Sequence, residues 1–240
     1  MRLDRLLANL GYGSRRETAA LLASGQVTRA DGRVVRSETE RATHADLRVD
    51  GEPLDPAAPL TLVMHKPSGV VCSHDEGEGA LVYGLLPPRF GRRNPPLATV
   101  GRLDKETSGL LLLTDDGGLL HRLTSPKKAV WKTYAAELSR PLRGDEGALF
   151  LSGTLLLDRD TKPCLPARLV VVGPRSAHLS IVEGRYHQVR RMFAASGNHV
   201  ESLHRISIGT LTLGDLARGQ WRVAGPEDLA AVEHRDARGG

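Results

Sequence analysis

One stretch constrains this chain more than any other: Gly101-Arg102-Leu103-Asp104-Lys105-Glu106-Thr107-Ser108-Gly109, followed by Leu110 to Leu113 and the turn Thr114-Asp115-Asp116-Gly117. Ala98-Thr99-Val100 leads in and four consecutive leucines lead out. A continuous apolar run between Gly and Asp-Gly turn signals reads as a strand buried in a core. Asp104 therefore sits on a short connection anchored at both ends. Solubility gives no reason to place a carboxylate there, whereas a nucleophile or general base needs such a support. The competing reading is an Asp that merely caps or turns a loop beside glycine.

The chain ahead of this stretch has a different texture. Leu3, Leu6, Leu7 and Leu10 recur at helical spacing and stop at Gly11-Tyr12-Gly13. Ser14 and Glu17 form a Ser-x-x-Glu capping box that opens a second helix, running through Leu21 and Leu22 to Gly25. Val27-Thr28-Arg29, Val34-Val35 and Leu47-Arg48-Val49, with Asp-Gly turns between, predict short strands. Arg15 and Arg16 fall in the first turn of the second helix, where the helix dipole already favours an anion. The run from Arg2 to Glu17, continued by Gly25-Gln26-Val27-Thr28, resembles the S4 RNA-binding domain. That resemblance implies contact with structured RNA, not a reaction.

Asp55-Pro56-Ala57-Ala58-Pro59 reads as a stiff linker, so the expected division is an S4-like unit at 1–58 and a second domain at 59–234, with 235–240 a disordered tail. Beyond the linker, strands are expected at 60–64, 70–72, 131–138, 154–157, 169–172, 178–182, 200–203, around Ile206 and Ile208, 211–213 and 221–223. Helices are expected at 118–123, from Arg185 to Ala195 and from Pro226. Strands without regularly alternating long helices predict an α+β fold with a mixed, largely antiparallel sheet. Arg89 to Pro96 is a basic loop expected to face RNA. On the helix from Arg185, Val189, Met192 and Phe193 share an inward face, which leaves Arg190 on its flank and Arg191 pointing away, toward solvent or phosphate.

Charge narrows the chemistry. The chain carries net +5 with a pI near 9.5, and 27 of its 33 basic residues are arginine, which suits a polyanionic partner and bidentate phosphate contacts. Two cysteines, Cys72 and Cys164, are too few for a disulfide framework or a thiolate metal site. The nine histidines show no metal-ligand spacing, and neither phosphate-loop nor dinucleotide-binding glycine patterns are present. No apolar run reaches membrane-span length and the first residues lack a signal-peptide pattern, so a cytoplasmic protein is expected. Tyr134, on base rates, is a core tyrosine, with a site-lining role as the alternative.

Gly101-Arg102-Leu103-Asp104 with Thr107-Ser108-Gly109-Leu110 resembles the catalytic motif of the RsuA and RluA branches of the pseudouridine synthases. Lys132-Thr133-Tyr134 and Glu183-Gly184-Arg185-Tyr186-His187-Gln188-Val189-Arg190-Arg191-Met192-Phe193 match the later motifs in order. Thr161-Lys162-Pro163 and Gly197-Asn198-His199-Val200 are most similar to the small-subunit branch. His65, where Asn is frequent, and Arg190, where some members carry Lys, are departures. The resemblance implies isomerisation of uridine to pseudouridine in ribosomal RNA, with uridine 516 of the small-subunit RNA the family's target. Large-subunit RNA, a non-catalytic assembly role and an Asp-dependent hydrolase on another fold are the alternatives. By this carry-over Asp104 is the nucleophile, Tyr134 stacks on the base and serves in proton removal, and Arg190 forms an ion pair with Asp104. Arg102 fills the gap left by a flipped uridine, and Arg15, Arg16, Arg185, Arg191 and Lys132 contact RNA. No cofactor or metal is implied. The expected partner is ribosomal RNA or a small-subunit assembly intermediate, bound by a monomer with no membrane involvement.

Overall fold

Leucines at helical spacing wind into α1 (Leu3–Asn9), and Ser14 caps α2 (Arg15–Ser24) reciprocally. The Glu17 amide donates to Ser14 Oγ at 3.3 Å and the Ser14 amide to the Glu17 carboxylate at 2.6 Å. Gly25 ends the helix in the left-handed conformation, at φ 81°. β1 (Val27–Arg29), β2 (Leu47–Val49) and β3 (Glu52–Pro53) form a small antiparallel sheet, to which Val34 adds a single bridge rather than a strand. Leu3, Leu7, Leu22, Val27 and Leu47 meet in its core. The computed structural model describes residues 2–125 and 128–233; the C-terminal tail and part of the basic turn at 125–128 lie outside them.

The chain divides into two compact units. The first gathers the chain up to Thr61 with Tyr83–Ala98 and Thr114–Asp116. The basic segment expected to face RNA is in part tied down inside this unit. Residues Pro88–Arg92 form a 3-10 turn with Phe90 buried, and Arg89 makes a two-pronged ion pair with Asp55. Arg93 lies 3.3 Å from the Asp115 carboxylate, and each side chain is only 1% exposed. Asp115 also accepts the Leu60 amide at 2.6 Å. A carboxylate taken out of water needs such partners, and the arginine supplies one.

The second unit is built on a sheet. Its strands are β4 (Thr61–Lys66), β5 (Ala98–Thr99), β6 (Thr107–Thr114), β7 (Lys132–Leu138), β8 (Arg168–Gly173), β9 (Ser176–Ile181), β10 (Val200–Ile208), β11 (Leu211–Thr212) and β12 (Trp221–Val223). Among the described residues their order is β12-β4-β6-β10-β7-β9-β8, with β5 on β6 and β11 on β10. β10 runs parallel to β6 and antiparallel to β7, and the β7–β9, β8–β9 and β12–β4 pairs are antiparallel. The sheet is thus mixed and mostly antiparallel, as the irregular spacing of strands implied. α3 (Gly117–Thr124), α4 (Glu146–Leu151), α5 (Gln188–Ala195) and α6 (Pro226–Glu233) accompany it. Leu110 to Leu113 are all fully buried on β6.

Four local expectations change. Residues 154–157 are irregular, yet Leu155 and Leu157 are buried, so burial without a pairing partner imitated a strand. Residues 70–72 contribute one bridge, Val71 to Leu81. The two segments expected at 200–208 are one strand with register shifts that interrupt strict alternation. α5 begins at Gln188, three residues later than expected, because the Arg185 amide donates to the Gln188 side chain at 3.0 Å and holds Arg185 to His187 in a turn. The buried ion pair gives a stability test. Asp115→Ala strands Arg93 without its charge partner and is expected to lower the unfolding free energy by about 3–5 kcal/mol, whereas the double replacement Arg93→Met with Asp115→Leu recovers part of the loss, the Leu60 amide still lacking its acceptor, as read by urea unfolding.

Candidate active site

The site begins with a lysine. Lys66, at the end of β4, is fully buried, and its ammonium donates to the carbonyls of Thr107 at 2.7 Å, Pro67 at 3.0 Å, Asp104 at 3.1 Å and Lys105 at 3.3 Å. Burial pulls its pKa below the ordinary lysine value, against the opposing pull of Cys72, Asp104 and Glu106. The Thr107 amide closes the loop onto the Asp104 carbonyl at 3.0 Å, and Gly69 donates to Lys105 at 2.8 Å. The backbone around Asp104 is therefore fixed from the inside, while its carboxylate, 34% exposed, is left to face outward.

It faces a cavity of about 390 Å³ lined by Arg102, Leu103, Thr107, Lys132, Tyr134, His187 and Arg205, among others. Sheet register assembles these residues. Arg205 on β10 lies opposite Tyr134 on β7 and beside Gly109 on β6. The β6–β10 approach is so close that a Cβ at Gly109 would fall 2.3 Å from the Arg205 carbonyl oxygen, which accounts for glycine there, at φ +116°. Arg205 is 1% exposed; its Nε donates to the Leu110 carbonyl at 2.7 Å and its Nη1 to the Tyr134 hydroxyl at 3.3 Å. Its Nη2 and the Thr107 hydroxyl are buried with no protein partner, so the cavity wall offers polar groups not used by the fold. Lys132 completes this wall: burial, and next the charge of Arg205, pull its pKa down to about 8.

The side chain beside Asp104 is not the expected one. Arg190 is half-buried on α5 and donates to the Val200 carbonyl at 2.8 Å. The flank of α5 that carries it faces the start of β10, so the expected ion pair with Asp104 is not formed. Among the described residues the His187 ring lies beside Asp104 instead, Nε2 to Oδ1 at 3.5 Å. His187 has φ 48°, a left-handed conformation uncommon outside glycine, at the turn from which its Nε2 comes within 3.5 Å of the carboxylate. Arg185 and Arg191, expected on RNA, both bind Asp160, at 2.9 and 2.8 Å, and Arg185 also binds Glu183 at 3.1 Å. Their guanidinium groups hold this turn in place. Arg102 is exposed at the cavity, and Arg15 and Arg16 are exposed on the first unit.

Arg205 and Lys66 were not singled out from sequence. For Arg205 the signal was its parity with buried Leu203 on one strand; the register shifts of β10 blur that pattern. For Lys66 it was a lysine closing an otherwise buried strand. Among the described residues no group of three or more His, Cys, Asp or Glu side chains is placed to hold a metal ion, and no helix is long and apolar enough to cross a membrane.

Known proteins carry the same arrangement of sequence. The family model for RNA pseudouridylate synthase matches residues 60–152. Ribosomal small subunit pseudouridine synthase A of Yersinia pestis is 41% identical over 235 residues, covering 97% of this chain and 98% of the relative. The Escherichia coli protein of that name is 40% identical and is covered in full, and so is an uncharacterized RNA pseudouridine synthase, YtzG, of Bacillus subtilis. A crystal structure of a pseudouridylate synthase superposes with a TM-score of 0.68 at 32% identity, covering 97% of this chain and 99% of that one. The chain belongs to the RNA pseudouridine synthases, a family of isomerases, and within it to the RsuA-type group.

Lys132 gives this site a pH signature. In the folded protein it loses its proton near pH 8, whereas the unfolded chain holds it up to the ordinary 10.5. The unfolded state then binds more protons between those values, so Lys132 makes stability rise with pH across that window. For a polyanionic substrate the same deprotonation removes a positive charge from the cavity. We expect kcat/KM, which reports groups of the free enzyme, to fall as pH rises through about 8, and this limb to be absent in Lys132→Met.

Proposed function

We propose that this enzyme converts one uridine of small-subunit ribosomal RNA to pseudouridine, with Asp104 as the nucleophile. The observation that carries the assignment is the Asp104 carboxylate, on a loop clamped by Lys66, opening into a cavity walled by Tyr134 and Arg205. An ionised carboxylate attacks the anomeric carbon of the ribose as the bond to uracil N1 breaks, and the bonding pair leaves with the base. The base turns and reattaches through C5, the carboxylate is released, the C5 proton is lost to solvent and N1 takes up a proton from solvent, so that the product is an isomer of the substrate.

The remaining residues fit this sequence of events. Tyr134 stacks on the base and serves in proton removal, its hydroxyl held by the Arg205 guanidinium, which donates to it at 3.3 Å. The free Nη2 of Arg205 suits a uracil oxygen, whose negative charge grows as the base departs. Lys132 contacts the substrate's phosphate and His187 orients Asp104. Arg102 enters the stack when the uridine flips out. The first 58 residues act as an S4-like RNA-docking unit through Arg15 and Arg16, and the protein works as a cytoplasmic monomer on RNA or on a small-subunit assembly intermediate.

The choice of small-subunit RNA rests on full-length likeness to relatives named for that activity, and uridine 516 is the target which the family resemblance suggests. Mapping pseudouridines in both ribosomal RNAs of a strain lacking this gene tests it. One small-subunit uridine should lose its modification and regain it on incubation with the purified protein. Loss confined to large-subunit RNA would overturn the choice of substrate.

A further inference from the structure

Tyr186 is the most exposed large hydrophobic side chain among the described residues, at 73%. Its ring lies nearly parallel to that of His187, 15° apart with centroids 3.9 Å from each other, and both line the cavity that holds Asp104. His187 covers one face of the tyrosine and leaves the other open to solvent. Asp104 Oδ1 lies 3.5 Å from His187 Nε2, at the edge of the second ring of the pair. Core packing does not explain an aromatic ring so exposed.

The backbone turn that carries the pair is braced by hydrogen bonds. Arg191 donates to the Tyr186 carbonyl at 3.2 Å and is anchored by Asp160 and by the Asp158 carbonyl. Arg185 is fixed by Asp160, Glu183 and the carbonyls of Lys162 and Pro163. A flat ring stack braced from beneath loses little conformational freedom when a second flat ring settles on it. We propose that Tyr186, backed by His187, is a stacking platform for the base of a nucleotide next to the flipped uridine. The inference rests on the reading that the enzyme isomerises a flipped uridine in RNA. Stacking on a nucleobase uses its π face, which every base presents, so the platform positions the strand and does not read its sequence.

The test measures binding of a small-subunit rRNA transcript in an Asp104→Asn background, where turnover does not intervene. Tyr186→Ala should weaken binding about tenfold, while Tyr186→Phe and Tyr186→Trp stay within about twofold of the parent, because the ring and not the hydroxyl makes the contact. Transcripts lacking the base on one or the other side of the modified uridine complete the cycle. One of the two should bind the parent about tenfold more weakly and show no further loss with Tyr186→Ala. Unchanged binding by Tyr186→Ala, equal losses in Phe and Ala, or fully additive losses with both abasic transcripts would overturn the platform. A transcript that binds with this ring dependence but gains no pseudouridine from the wild-type protein would count against the isomerase reading alone.

Discussion

The Lys66 ammonium holds the site together. Four carbonyls of the segments around Asp104 converge on a single buried cation. Hydrogen bonds to a charged donor are about twice as strong as neutral ones, and more so away from water. The cost is a buried charge, visible in the lowered pKa of Lys66. The return is an Asp104 backbone fixed to the central sheet while its carboxylate stays accessible.

A second layer of order comes from the sheet. The parallel β6–β10 pair sets Arg205 against Gly109, and the antiparallel β10–β7 pair sets the same arginine against Tyr134. One buried guanidinium thereby links the strand that follows the Asp104 loop to the strand that carries Tyr134. Arg185 and Arg191 brace the turn that presents Tyr186 and His187. Arginines that composition alone would assign to RNA thus serve in part as internal scaffold.

Much of this was legible in the sequence. The leucine run after Asp104, the capping box at Ser14 and Glu17, and the buried face of Val189, Met192 and Phe193 follow from local periodicity, and the structure has them. The partners of the arginines were not legible. Arg93 with Asp115 and Arg185 with Asp160 are pairings of residues distant in sequence, and an arginine's exposure depends on where a carboxylate arrives in space. Arg190 fails for a related reason. Helical phase gave its flank correctly, but what that flank meets, the Val200 carbonyl, depends on how the chain returns into β10.

The central claim is that Asp104 performs the chemistry and does not merely shape the loop. It is tested most directly by release of tritium from uridine labelled at C5 in small-subunit rRNA, with enzyme in excess over RNA. The wild-type protein should release the label in a single turnover. Asp104→Asn should bind the RNA with unchanged affinity, because Lys66 grips the backbone and not the carboxylate, yet release none. Undiminished release by Asp104→Asn would contradict the account.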